Sequence, residues 1–157
     1  MEVNTEHRSN FSRDGDSWRN TVPPDILPLY DATIQKDRRL VKKILDSNAI
    51  DINQTYGVWA ETCLHIAVYQ DDLKMCLLLL ANGASTYSTD KWGRTALHTA
   101  SSRGNIRICE ELLKVGAPFL AKDKGGWTPL HMSSSYGHRN ICQLLIRAGC
   151  DIHARQM

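Results

Sequence analysis

The tetrapeptide Thr-x-Leu-His occurs three times at a constant spacing. Thr62-Cys63-Leu64-His65, Thr95-Ala96-Leu97-His98 and Thr128-Pro129-Leu130-His131 follow one another at intervals of 33 residues. A fixed period of this length marks a stacked-repeat architecture, in which one supersecondary unit is copied along the chain. Other positions keep the same phase. Gly83, Gly116 and Gly149 each follow an apolar run, and Gly104 and Gly137 punctuate the middle of their units, where the preceding unit has Asp71. Cys76, Cys109 and Cys142 precede Leu79-Leu80, Leu112-Leu113 and Leu145-Ile146. A unit too short to bury its own apolar face must stack on its neighbours. The chain is therefore constrained to be a rack of units that displays a surface.

Each recurring residue type has a physical task. Thr62, Thr95 and Thr128 are placed to cap a first helix, their hydroxyls accepting from free backbone N–H groups. Pro28 and Pro129 stand at a first helical position, where a missing N–H costs nothing. Ile106, Ile108, Cys109, Leu112 and Leu113 form an apolar stripe at helical spacing, and Gly116 supplies the left-handed residue that ends such a helix. Residues 117–126 have the length and turn residues of a projecting β-hairpin. A weaker first copy reads Leu27-Pro28-Leu29-Tyr30-Asp31-Ala32, with Leu27 in place of Thr and Tyr30 in place of His. Its offset is 35 residues, so two residues are inserted between Ala49 and Glu61. Arg38, Arg39, Lys42 and Lys43 make its second helix polar enough for an N-terminal cap.

This pattern resembles the ankyrin-repeat family over residues 25 to 153. The resemblance implies an all-α solenoid of helix–turn–helix pairs joined by β-hairpin loops, with repeats near 25–60, 61–93, 94–126 and 127–157. It also implies that His65, His98 and His131 hydrogen-bond at the base of the hairpins and tie one repeat to the next. Three equivalent copies argue for one architectural job, whereas catalysis needs a single His with its own nucleophile and orienting carboxylate. No enzyme activity and no cofactor are expected. His138 and His153 are expected to be exposed, and His7 to lie in the tail.

The net charge of +2 implies no dedicated nucleic-acid or membrane surface. No apolar run is long enough to span a bilayer, and the sequence after Met1 is unlike a signal peptide. Five cysteines without a CxxC pair suggest neither a disulfide framework nor a zinc site. The family places Cys76, Cys109 and Cys142 in the buried second helix, about one helix-packing distance apart and beyond disulfide reach. They read as reduced core thiols of a cytoplasmic or nuclear protein. Residues 1–24 are polar, with few apolar side chains beyond Val3, Phe11, Trp18 and Val22, and are expected to be a disordered tail.

Function is then sought where the repeats differ. In ankyrin proteins recognition uses a concave surface of hairpin tips and first helices. Carried onto this chain, the variable tip positions are Val58, Trp59 and Glu61, then Lys91, Trp92 and Arg94, then Lys124, Gly125 and Trp127. Those late in the first helix are Tyr69 and Gln70, Ser102 and Arg103, Ser135 and Tyr136. Trp59 and Trp92 share a slot, whereas Trp127 takes the slot of Arg94. Exposed aromatic and Arg side chains dominate binding hot spots, so Trp59, Trp92, Arg94, Arg103, Trp127 and Tyr136 are candidate partner-binding residues, joined by Glu61, Tyr69, Gln70, Lys91 and Lys124. The competing reading is that each indole lies on its neighbouring hairpin and only staples the fingers together. The basic residues favour a partner segment bearing carboxylates or phosphate.

Two smaller expectations concern Asn53 and the C-terminus. Leu45 with Asp51-Ile52-Asn53 is similar to the ankyrin-hairpin pattern modified by an asparaginyl hydroxylase, with Asn53 as acceptor, and Leu145 with Asp151-Ile152-His153 echoes it. Ile141, Leu144, Leu145 and Ile146 look like an internal repeat, although Met157 falls where another hairpin should begin. A shortened array is expected, or an open end that self-associates. The overall reading is an adaptor or scaffold for a protein partner, the alternative being a shortened ubiquitin-ligase substrate-recognition module or a transcription-factor regulator.

Overall fold

A computed structural model describes residues 27–47 and 50–149. Its eight helices are α1 (Leu27–Ile34), α2 (Arg38–Asp46), α3 (Cys63–Tyr69), α4 (Leu73–Ala81), α5 (Ala96–Arg103), α6 (Ile106–Lys114), α7 (Pro129–Ser135) and α8 (Arg139–Arg147). They form four pairs. Each first helix packs on the next, α1 on α3, α3 on α5 and α5 on α7, while α2, α4, α6 and α8 pack in a parallel row. This is the solenoid the period implies. The longer first interval recurs in three dimensions: α2 and α4 start at Arg38 and Leu73, whereas α4, α6 and α8 start at Leu73, Ile106 and Arg139.

Local chemistry sets the helix ends. Thr62, Thr95 and Thr128 are the N-caps of α3, α5 and α7. The Thr62 and Thr128 hydroxyls accept the N–H of His65 and His131, each at 3.4 Å. In return the histidine Nδ1 accepts the threonine N–H, at 3.4 Å from Thr62 and 3.1 Å from Thr95 and Thr128. This is a capping box in which imidazole replaces the usual Glu or Gln. Helices α4 and α6 give way to Gly83 and Gly116, at φ 89° and 81°, as the left-handed C-terminal position requires.

The core runs along the row. Leu29, Leu64 and Leu97 share a slot in successive first helices and are all fully buried. Met75, Cys76 and Leu79 of α4, Ile108, Cys109 and Leu112 of α6, and Ile141 and Leu145 of α8 fill the space between layers. Cys63, Cys76, Cys109 and Cys142 are free thiols. Burial pushes Cys76 and Cys109 up to about 12, which removes the thiolate that reacts. Val41 and Leu45 are the buried side of α2, and Arg39, Lys42 and Lys43 face solvent.

Three expectations are revised or fall outside the described residues. The loops between pairs form no strand among these residues, apart from one antiparallel bridge between Tyr56 and Glu61. Each loop still folds back on itself through backbone bonds, Tyr56 with Glu61, Asp90 N–H to Arg94 O and Asp123 N–H to Trp127 O, and in the second and third an Asp carboxylate also collects the loop's N–H groups. Asp90 Oδ1 accepts from Trp92 and Arg94, both at 2.9 Å. Second, His138 is half-buried, not exposed, and its Nε2 donates to the Ser102 carbonyl at 3.0 Å. It stands at the N-cap position of α8 without a side-chain capping bond, and its ring is turned to the preceding pair. Third, the expected tail (residues 1–24), His153 and the Asp151-Ile152 echo lie outside the described residues.

Candidate functional site

Three fingers project between the helix pairs, over residues 50–61, 84–94 and 117–127. Backbone bonds join them side by side: Lys91 N–H donates to Trp59 O and Lys124 N–H to Trp92 O, each at 2.9 Å. At the first of these joints Trp59 and Trp92 stack, with ring centroids 5.0 Å apart and planes 17° from parallel. Lys91 Nζ lies 3.6 Å from the Trp59 centroid and 4.6 Å from that of Trp92. The Arg94 guanidinium sits 4.3 Å over Trp92, with Nη2 2.7 Å from the buried Asp90 Oδ2. For this indole pair the stapling geometry is the one observed. Arg94 is matched within its own finger.

The next joint differs. Gly125 stands where the period would place a third indole, and Trp127 stands where it would place Arg94. A groove of about 330 Å³ opens here, lined by Trp92, Asp123, Lys124, Gly125, Trp127, Met132, Ser135 and Tyr136. Trp127 is 43% exposed and Tyr136 46%, high for such large apolar groups. Their rings are nonetheless held: Trp127 meets His131 edge-on at 6.3 Å, and Tyr136 lies parallel to His138 at 6.4 Å. The turn beneath repeats the preceding one, with Asp123 Oδ1 accepting from Gly125 at 2.8 Å and Trp127 at 2.9 Å.

Other candidates from the sequence lie away from the groove. Tyr69 carries the Arg103 guanidinium 4.2 Å above its ring. Gln70 Nε2 donates back to Ile34 O at 3.0 Å, tying the second pair to the first. Glu61 belongs to the Tyr56 bridge. The Asn53 side-chain oxygen accepts from Ser85 N–H at 2.7 Å, so this carboxamide joins the first finger to the second. At the far end Ile141 and Leu145 are buried, Leu144 is partly so and Ile146 is 44% exposed. Sequence reasoning missed Asp123 and Met132. Asp123 was detectable as the periodic equivalent of Asp90; Met132, at the slot of Thr99 and Ile66, gave no signal.

His65 and His98 perform the linking job expected of them. Their Nδ1 atoms are acceptors, so Nε2 carries the proton and donates to Arg94 O at 3.0 Å and Trp127 O at 2.9 Å respectively. Each bond runs from a helix to the finger of the following repeat. Among the described residues no cluster of three His, Cys, Asp or Glu could hold a metal ion. No helix there is long and apolar enough to cross a membrane.

Four stacked helix pairs, fingers bonded edge to edge and a histidine tie between repeats define a helical repeat solenoid. The family profile for ankyrin repeats, in three copies, matches residues 64–156. The chain belongs to the ankyrin-repeat family. A search of curated proteins finds no match. The first helix pair precedes the matched span, in keeping with its atypical Leu27 and Tyr30.

Proposed function

We propose that this chain is a non-catalytic adaptor or scaffold that holds a segment of a partner protein in the groove between the second and third fingers. Ankyrin repeats are generally protein–protein interaction modules, and the narrower reading rests on one observation. The groove is the place where the Trp ladder is interrupted, leaving Trp127 and Tyr136 half-exposed around a cavity. Large, rigid aromatic side chains beside a preformed pocket give contact area at low entropic cost. Trp59, Glu61, Tyr69, Gln70, Lys91, Arg94 and Arg103 are engaged within the array, and their part in binding is to hold the groove's surroundings in place. Exposed Lys124 is the rim charge left for a partner carboxylate.

The test is affinity capture with the intact chain and with a Trp127→Ala/Tyr136→Ala variant of unchanged helical content. Trp92 is kept, because removing it would also break its stack on Trp59. Partners lost only by the variant support the groove. An unchanged partner set would refute it and move recognition elsewhere on the array.

A further inference from the structure

We infer that the groove takes an arginine side chain of the partner, its guanidinium lying against Trp127 and Tyr136 and paired with Asp123. This rests on the groove being the recognition site and specifies what enters it.

The chain contains its own precedent one period earlier. In the second finger Asp90 uses Oδ1 to close the turn and Oδ2 to bind Arg94, with Nε at 2.8 Å and Nη2 at 2.7 Å. The same guanidinium lies over Trp92. In the third finger Asp123 closes the same turn with Oδ1, but the residue at the Arg94 slot is Trp127. The second oxygen of Asp123 has no hydrogen-bond or ion-pair partner among the described residues. The aromatic rings follow the same contrast. Lys91 covers Trp59 and Trp92, and Arg103 covers Tyr69. Among the described residues no cation covers Trp127 or Tyr136. The third finger thus has the carboxylate and the rings of the second without the cation.

The cation nearest in sequence does not fill the gap. Lys124 passes close to Gly93, where a Cβ would meet Lys124 Cγ at 3.3 Å, and it makes no ion pair with Asp123. Gly125 puts no indole at the slot that Trp59 and Trp92 fill in the preceding fingers, and the place where its Cβ would stand is bordered by Asp123 Oδ1 at 3.3 Å and the Trp127 ring edge at 3.4 Å. A guanidinium suits the place better than an ammonium. It is planar, stacks on aromatic faces and meets a carboxylate through two parallel N–H groups.

The test is an NMR titration of the intact chain with Nα-acetyl-arginine methylamide, reading the Trp127 indole N–H and the Gly125 amide. The controls are the citrulline analogue, which is neutral but nearly the same shape, and the lysine analogue. The expected result is that the arginine probe moves both signals and binds about tenfold more tightly than the citrulline probe. Asp123→Asn keeps an oxygen for the two turn N–H groups and removes the charge, so it should lower arginine binding to the citrulline level. Gly125→Trp restores the indole of the earlier fingers and should abolish binding of every probe, with an unchanged thermal melt showing that the fold survives. Arginine and citrulline binding alike, arginine binding unaffected by Asp123→Asn, a preference for lysine, or no response to arginine would each overturn the inference. The two claims fail separately. Partners that depend on Trp127 and Tyr136, with a probe indifferent to Asp123, leave the recognition site standing and remove only the arginine. Partners indifferent to both aromatics remove the site itself.

Discussion

At the scale of single residues, repetition is what made the histidines readable. One Thr-x-Leu-His could be a fragment of an active site; three in phase have an architectural reason, and the bonds of His98 supply it. Its Nδ1 accepts from Thr95 N–H at 3.1 Å while Nε2 donates to Trp127 O at 2.9 Å, so the folded state needs the neutral ring. Burial lowers its pKa below the ordinary 6.5. The folded chain therefore binds fewer protons than the unfolded chain between that depressed value and about 6.5. The contribution is complete above about 6.5 and is lost as pH falls through the folded pKa. An NMR titration should show the His98 Cε1–H midpoint below 6.5; a midpoint at or above it would contradict the bonding described. Ala60 was unreadable for the converse reason: alanine gives no hint of a left-handed backbone. It sits at φ 52°, where the period places Gly93 at 78° and Gly126 at 80°. That conformation costs an L-residue roughly 1–2 kcal/mol, against about 0.4–1 kcal/mol for glycine's extra freedom when unfolded. Ala60→Gly should thus stabilise the chain by about 0.5–1 kcal/mol in urea denaturation, and a loss of stability would refute the strain.

Among the elements, the helices and their order were legible because glycine spacing and apolar stripes are local signals. The histidine ties were legible too, but those made from the first residue before each second helix were not, since different residue types perform them. The N-cap positions of the second helices hold Asp37, Asp72, Asn105 and His138, which share a slot without sharing chemistry. Asp72 accepts Met75 N–H at 3.0 Å and pairs with Arg38 of the first unit at 3.0 Å. Asn105 Nδ2 donates to Val68 O at 3.1 Å, and His138 reaches Ser102 O. No periodic pattern can announce a tie made once by a carboxylate, once by an amide and once by an imidazole. This explains why His138 was expected in solvent. The His138 tie also constrains Gly104, which has φ 80° and would bring a Cβ within 2.7 Å of His138 Cε1. Gly116 has φ 81° and nothing within 4 Å. Gly116→Ala should therefore cost only the left-handed strain, about 1–2 kcal/mol. Gly104→Ala should cost roughly 1 kcal/mol more, because it also displaces a bonded ring. Equal losses in denaturant titrations would show that the close approach relaxes freely.

For the whole molecule, the period gave the architecture but left the groove hidden. The sequence shows that Gly125 and Trp127 break the pattern, and the family resemblance puts them on one surface with Ser135 and Tyr136; only the packing shows that a cavity opens between them and that Met132 and Asp123 line it. The same one-dimensional stacking determines how the molecule should come apart. Among the described residues each pair packs chiefly on its neighbours, so stability is close to a sum of units and interfaces. The shared slot of Leu29 and Leu97 allows a controlled comparison, since both side chains are fully buried and each Leu→Ala change removes the same atoms, for about 2–5 kcal/mol. Leu29 lies in α1, which has a described neighbour on one side, and Leu97 in α5, packed between α3 and α7. A chain damaged at Leu29 can escape most of the cost by opening α1 and α2 alone. Damage at Leu97 offers no such escape, because opening α5 removes a face from both neighbours. Hydrogen exchange should therefore show Leu29→Ala losing protection in α1 and α2 with α5 to α8 unchanged, and Leu97→Ala losing it from α3 through α8. Uniform loss in both variants would mean that the four pairs unfold as one unit, and the nearest-neighbour account of this array would have to be abandoned.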